Sequence, residues 1–115
     1  MASTESSAHI NFKCEVLKAQ DGDTQLTLKE LAPVRLIKNQ FFNELQALYQ
    51  QNPTVQQLKE KLGRGRAKKG MFEGDLQQGE LEIGQIAGLI HEIKPAADIV
   101  KEIVAEFKAV KKSFC

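Results

Sequence analysis

The sequence has few cysteines, almost no net charge and no long hydrophobic run, and each shortage excludes a class of protein. Cys14 and Cys115 lie far apart and one is the last residue, so a disulfide is not expected and a reducing compartment is predicted. Sixteen basic against fifteen acidic side chains leave a net charge of +1, which indicates neither a nucleic acid nor an anionic membrane nor an acidic substrate as partner. No stretch approaches the roughly 18 apolar residues of a transmembrane helix, and residues 1–9 do not resemble a signal peptide. A cytoplasmic location is therefore predicted.

The composition that remains is that of one ordinary globular domain, with 115 residues of which 42% are hydrophobic and 27% are charged. Apolar residues at helical spacing predict three helices, over about 7–19, about 38–50 and from Pro95 to near the end. A brief alternation at Leu26 and Leu28 predicts an extended segment between the first two. The chain is therefore predicted to be mostly α-helical.

A further helix ending at Gly63 can begin in two ways. Asn52 can cap it with Pro53 at its first position, or Thr54 and Gln57 can form a capping box. Seven of the eight glycines lie between Gly63 and Gly88, so the segment after this helix is expected to be dominated by backbone contacts.

The basic stretch "GRGRAKKG" at 63–70 does not fit either phosphate-binding motif. Its glycine spacing differs from the dinucleotide fingerprint, and Met71 and Phe72 stand where a P-loop needs lysine and serine or threonine. No aromatic residues alternate with its charges, so a solvated or cofactor-side loop is favoured over a nucleic-acid site.

Other chemically competent residues do not form a catalytic set. His9, Cys14 and His91 lack the spacing of a zinc site, and Cys14 lies in an apolar stripe that suits an inert core thiol. Glu73 and Asp75 could form an acid–base pair but more often serve as turn or cap residues. We therefore predict no catalytic residue and no metal ligand.

Three motifs together resemble the C-terminal part of the nitronate monooxygenase family, formerly called 2-nitropropane dioxygenases, which includes the flavin-type enoyl-acyl-carrier-protein reductases. They are "RLIKN" at 35–39, "GD" at 74–75 and "GQIAGL" at 84–89. The resemblance extends from Ala2 to about Phe107. It implies a (β/α)8 barrel that binds FMN, of which this chain holds the C-terminal helical portion without the barrel strands.

The same resemblance implies a division of the chain and a small set of site residues. Residues 1–37 are similar to the last barrel helix and an extended connector, and residues 38–115 to a C-terminal helical cap. Gly84, Gln85 and Gly88 are implied to contact the flavin, and Leu62 to line the substrate pocket at a position where relatives often carry methionine. An alternative explanation is that Gly84 and Gly88 only permit tight packing of the helix.

The resulting functional prediction is a fragment of an FMN-dependent oxidoreductase that is inactive alone, because the strands and phosphate loops of the barrel would lie upstream of Met1. The parent enzyme would act on a small molecule, with neither nucleic acid nor membrane as partner. The alternative is a stand-alone helical interaction module. Without the barrel, the face of Ile10, Cys14 and Leu17 is predicted to be exposed and available for self-association.

Overall fold

The structure is a computed structural model that describes residues 1–114. This part of the chain contains five α-helices, a 3₁₀ helix and a two-stranded sheet. The elements follow in the order α1 (Ile10–Lys18), β1 (Thr24–Thr27), β2 (Val34–Ile37), α2 (Gln40–Tyr49), α3 (Val55–Leu62), α4 (Arg66–Met71), the 3₁₀ helix (Gln85–Leu89) and α5 (Ala96–Ser113). Helices cover about half of the chain, less than the mostly α-helical prediction, because two segments between α1 and α2 pair as strands and residues 72–84 form turns and irregular chain.

Helix α1 is shorter than predicted because His9, not a serine, caps it. The His9 Nδ1 atom accepts the Asn11 backbone N–H at 3.0 Å, and the His9 N–H donates to the Met71 carbonyl at 2.7 Å. Phe12 and Val16 are fully buried on one face of the helix. On the other face Ile10 is 56% exposed and Cys14 is a half-buried free thiol, so the prediction of Cys14 as a core residue is wrong.

Strands β1 and β2 form an antiparallel hairpin in which Thr24 pairs with Ile37 and Thr27 with Val34. Residues 80–83 run along the other edge of β2. The Ile37 N–H donates to the Leu81 carbonyl at 2.9 Å, and the Ile83 N–H donates to the Arg35 carbonyl at 3.2 Å. The predicted extended segment is thus confirmed, and a third stretch of chain covers one edge of the hairpin.

The starts of α2 and α3 are both fixed by side-chain caps. Asn39 Oδ1 accepts the Phe42 N–H at 2.9 Å. Thr54 and Gln57 form a reciprocal capping box, with Thr54 N–H to Gln57 Oε1 at 2.7 Å and Gln57 N–H to Thr54 Oγ1 at 3.2 Å. Of the two starts predicted for α3, the capping box is the one that forms.

Two hydrophobic clusters hold these elements together, one around α1 and one between α2 and α3. The α1 cluster consists of Ala8, Phe12, Val16, Ala19, Ile37, Met71, Leu81 and Ala87. The α2–α3 cluster consists of Leu28, Leu36, Phe41, Phe42, Leu45 and Leu58. Both clusters draw residues from either side of the 37/38 boundary, and Leu36 and Ile37 of β2 face one cluster each.

The glycine-rich segment is more ordered than a plain connector, because it contains α4 and a close backbone crossing. Gly70 and Gly79 lie back to back, and a Cβ atom built on Gly70 would come within 3.0 Å of the Gly79 Cα and 2.7 Å of a Leu81 methyl group. A Cβ on Gly79 would overlap the Gly70 backbone and the Asp75 carbonyl oxygen. Glycine at these positions is therefore a packing requirement.

Helix α5 begins after Pro95, as predicted, but its apolar stripe is not buried. Its first free backbone N–H, on Ala96, donates to the Glu5 carboxylate at 2.8 Å, and this contact lowers the pKa of Glu5. The N-terminal segment also pairs with the chain just before α5 through Ser3 and Lys94. No residue of α5 is buried. Within residues 1–114, no helix is long and apolar enough to cross a membrane.

Candidate functional site

The "GQIAGL" motif forms the 3₁₀ helix that packs on α1. Ala87 is fully buried in the α1 cluster, which orients the turn. A Cβ atom on Gly88 would lie 3.2 Å from the Asp21 nitrogen and 3.3 Å from the Gln20 carbonyl carbon, so the backbone after α1 occupies the space beside Gly88. The packing explanation for Gly88 is therefore supported by its neighbours within the chain.

The start of the motif, at Gly84 and Gln85, is exposed to solvent. Apart from Gly84 and its two chain neighbours, no atom of residues 1–114 lies within 4 Å of a Cβ position on Gly84, and Gly84 has an extended backbone that any residue can adopt. The Gln85 side chain beside it is exposed, as are Ile86 and Leu89. Gly84 and Gln85 thus present bare backbone and a side-chain amide to the outside, with apolar side chains next to them.

Leu62 lies away from this motif. It packs at the margin of the α2–α3 cluster, beside a surface cavity of about 420 Å³ lined by Gln56, Lys59, Glu60, Gly63 and Arg64. Since Ala87 belongs to the α1 cluster, the residue predicted to line the substrate pocket and those predicted to contact the cofactor occupy different parts of the structure.

Two of the three motifs of the family resemblance, at 35–39 and 74–75, contact one turn at 76–79 through side-chain hydrogen bonds to its backbone. The Asn39 amide nitrogen donates to the carbonyls of Leu76 at 3.0 Å and Gly79 at 2.8 Å. Asp75 Oδ1 accepts the backbone N–H groups of Gln77 and Gln78, which lowers the pKa of Asp75. Asn39 and Asp75 thus stabilise the turn that leads into residues 80–83 beside β2 and then into the 3₁₀ helix. Asp75 is a turn residue, as predicted.

Of the basic residues at 64–69, Arg66 forms contacts within the chain, and the others are exposed to solvent. The Arg66 guanidinium donates to the carbonyls of Leu62 at 2.8 Å, Lys61 at 3.0 Å and Gln78 at 2.8 Å. Its Cζ also lies 4.2 Å from the centre of the Phe41 ring. Arg66 therefore caps the C-terminus of α3 from the next helix.

The buried carboxyl group of Glu80 is a feature that the sequence analysis missed. Glu80 is 6% exposed, and burial raises the pKa of its carboxyl to about 7, with a further contribution from the neighbouring Glu82 carboxylate and an opposing one from Arg66. Glu80 and Glu82 are two residues apart along an extended segment, so both side chains lie on one side of it. The indication available in the sequence was "ELE" at 80–82, two glutamates separated by an apolar residue, as in an extended segment with one buried face.

Because folding raises the pKa of Glu80, the folded chain binds a proton between pH 4.5 and 7 that the unfolded chain has released. The free energy of unfolding should therefore fall by about 3 kcal/mol as the pH rises through this window. We expect Glu80→Gln to flatten this slope in urea denaturation at a series of pH values, and Glu82→Gln to make it shallower. An unchanged slope in Glu80→Gln would contradict this assignment.

No family model and no curated protein matches this chain. Among solved structures, FabK from Thermotoga maritima matches with 37% sequence identity and a TM-score of 0.87, over 98% of this chain and 36% of that chain. The M276A mutant of the same FabK matches with 33% identity and a TM-score of 0.80, over 98% of this chain and 33% of that one.

The chain thus spans about a third of the length of the proteins it matches. Identity above 30% together with a TM-score of 0.87 is a similarity of sequence as well as of fold. It is consistent with a segment of a flavin-dependent TIM-barrel oxidoreductase. The similarity to FabK supports the family relationship that the three sequence motifs predicted.

Proposed function

We propose that this chain is the C-terminal helical part of an FMN-dependent oxidoreductase of the nitronate monooxygenase and enoyl-acyl-carrier-protein reductase family. The observation that carries the proposal is the similarity to FabK over 98% of the chain at 37% identity. FabK is a flavin-dependent enzyme, and a flavin is accordingly the cofactor we assign.

The exposed start of the "GQIAGL" motif supports a flavin contact at Gly84 and Gln85. The absence of a Cβ on Gly84 leaves room for a flat ligand to approach the backbone, and the exposed Gln85 amide can both donate and accept hydrogen bonds. Bound FMN would supply the redox chemistry. In this proposal Gly88 acts mainly by letting the turn pack on the backbone of 20–21, which fixes the direction of Gln85.

Leu62 is proposed to line the substrate side of the site in the complete enzyme. Its side chain is only partly buried against α2 and α3, so one side remains free for contact with a further part of the enzyme. The substrate would be an alkyl nitronate or an enoyl thioester, the two classes used by the family branches.

We further propose that this chain alone has neither activity. In TIM barrels the active site is built from loops at the C-terminal ends of eight parallel strands. The sheet within residues 1–114 has two antiparallel strands, which do not provide such an arrangement. The large apolar side chains that remain exposed, among them Ile10, Ile86 and Leu89, are consistent with surfaces that a barrel would cover.

The test is FMN binding followed by nuclear magnetic resonance on the isotope-labelled chain. We expect shifts concentrated at the amides of Gly84, Gln85 and Ile86 at millimolar FMN, and no yellow colour retained after desalting, because only one side of the site is present. Gln85→Ala should weaken the shifts, whereas Gln77→Ala, an exposed glutamine elsewhere, should not. Shifts at other residues only, or turnover of propionate 3-nitronate by the chain alone, would contradict the proposal.

The alternative function is a helical interaction module without catalysis. The observation that favours it is α5, an 18-residue amphipathic helix of which no residue is buried. A binding module requires such a surface, because an apolar helix face is stabilised only when a partner covers it.

A further inference from the structure

Helix α5 extends from the rest of the chain, residues 1–95, which we call the body. Its apolar face is not covered by the body. Only its first turns contact the body: half-buried Ile99 and exposed Glu102 line a cavity of about 370 Å³ with Lys94, and Lys94 forms an ion pair with Glu102. From Ile103 onward every residue through Phe114 is exposed, and the chain is 54 Å long in its longest dimension. The apolar face is thus accessible along most of the helix.

The apolar residues of α5 repeat with the spacing of a two-helix seam. They fall at alternating separations of three and four residues, which is the a and d pattern of a coiled coil. The a positions are Val100, Phe107 and Phe114, and the d positions are Ala96, Ile103 and Val110. The side chains at these positions from Val100 onward are 55% to 85% exposed.

The flanking positions favour one partner and one orientation. In a parallel pair of identical helices, each g residue meets the e residue five positions later in the other chain. Within the exposed part of α5 this matches Glu106 with Lys111, which carry opposite charges. If two identical helices packed antiparallel through the same a and d positions, g residues would meet g residues, and Glu106 of one copy would lie opposite Glu106 of the other. Like charges in register oppose that arrangement.

We propose that the α5 face binds a second copy of this chain, forming a parallel two-helix interface along Val100–Phe114. The exposed a and d residues and the match of Glu106 to Lys111 carry the proposal, which does not rest on the proposed enzyme function. The bodies would lie side by side at the N-terminal ends of the helices. The cavity side of α5, at Ile99 and Glu102, would remain toward the body.

The first test is the mass of the full chain by analytical ultracentrifugation across a hundredfold range of concentration, with a reducing agent present throughout. The expected result is a transition from the 12.8 kDa monomer to a dimer of twice that mass. Phe107→Lys should weaken the dimer at least tenfold and leave the melting of the body unchanged, since Phe107 is 64% exposed. A monomer at every concentration, or assemblies larger than two, would overturn the proposal.

The second test uses charge reversal to identify the orientation. Glu106→Lys and Lys111→Glu should each weaken the dimer about tenfold, because each replaces two attractive pairs with two repulsive ones. A mixture of the two variants should form a heterodimer of about the original affinity. An antiparallel pair would be insensitive to Lys111→Glu, and non-specific apolar association would be insensitive to both charge reversals, so either result would refute the parallel interface.

Discussion

Replacing Gly79 with alanine is expected to lower the free energy of unfolding by about 3 kcal/mol, at the upper end of the range for overpacking. The added Cβ would overlap the Gly70 backbone and the Asp75 carbonyl oxygen, and backbone atoms cannot rotate aside as a flexible side chain can. The crossing of these two segments also positions Leu81 in the α1 cluster and beside β2. A change there would therefore displace residues 80–83, which lead into the 3₁₀ helix.

Gly84→Ala is the matched control for this prediction. It adds the same methyl group to a glycine of the same segment, in an extended backbone where, apart from Gly84 and its two chain neighbours, no atom of residues 1–114 lies within 4 Å of the new Cβ. We expect a change within about 0.5 kcal/mol, as for surface substitutions generally. Urea denaturation of the two variants gives the comparison, and equal stability of both would show that the close crossing is absent in solution.

Replacing Asn39 with alanine is expected to cost about 3 kcal/mol, because one side chain performs two tasks. Its Oδ1 atom caps α2 at the Phe42 N–H, which is worth about 1 kcal/mol. Its amide nitrogen satisfies the carbonyls of Leu76 and Gly79, and losing partners for partly buried carbonyls costs about 1 kcal/mol each. The same substitution would loosen the turn at Asp75 against α2.

Two variants distinguish the capping of α2 by Asn39 from its bridge, the pair of hydrogen bonds from its amide nitrogen to the Leu76 and Gly79 carbonyls. Asn39→Ser keeps an oxygen that can cap α2 but cannot reach the two carbonyls, so an intermediate loss of about 2 kcal/mol is expected. Thr54→Ala removes a cap from α3 at an exposed position with no bridging role and should cost about 1 kcal/mol. If Asn39→Ala costs no more than Thr54→Ala in urea denaturation, the bridge contributes nothing to stability.

The parts of the fold that were predictable are those governed by local chemistry. Helices α1, α2 and α5 lie within a few residues of their predicted bounds because apolar spacing, caps and prolines act over one or two turns. The capping box at Thr54 was one of two starts predicted for α3, and the choice followed from how its backbone N–H groups were satisfied. The turn role of Asp75 was also a local property.

The candidate site was less predictable, because its parts are far apart in sequence. The motifs at 35–39, 74–75 and 84–89 indicated the family, but nothing local showed that Asn39 holds the turn after Asp75 through its side-chain amide. Nor did the sequence show that Glu80 is buried, because its neighbours come from the strand edge and from Arg66. Leu62 and Gln85 were expected in one site, but Leu62 packs against the α2–α3 cluster, whereas the motif of Gln85 is anchored through Ala87 in the α1 cluster.

By itself, the sequence determined the approximate bounds of α1, α2 and α5, that the net charge is close to zero and that the motifs resemble a flavin-dependent family. Only the tertiary structure decided the role of each glycine, since Gly79 is needed at a backbone crossing, Gly88 packs on the backbone of 20–21, and Gly84 faces open space. It also decided which apolar faces are covered, burying Phe12 of α1 and leaving the stripe of α5 exposed. The physical reason is that burial depends on which segments meet in space, whereas helix formation depends on residues within a few positions of one another.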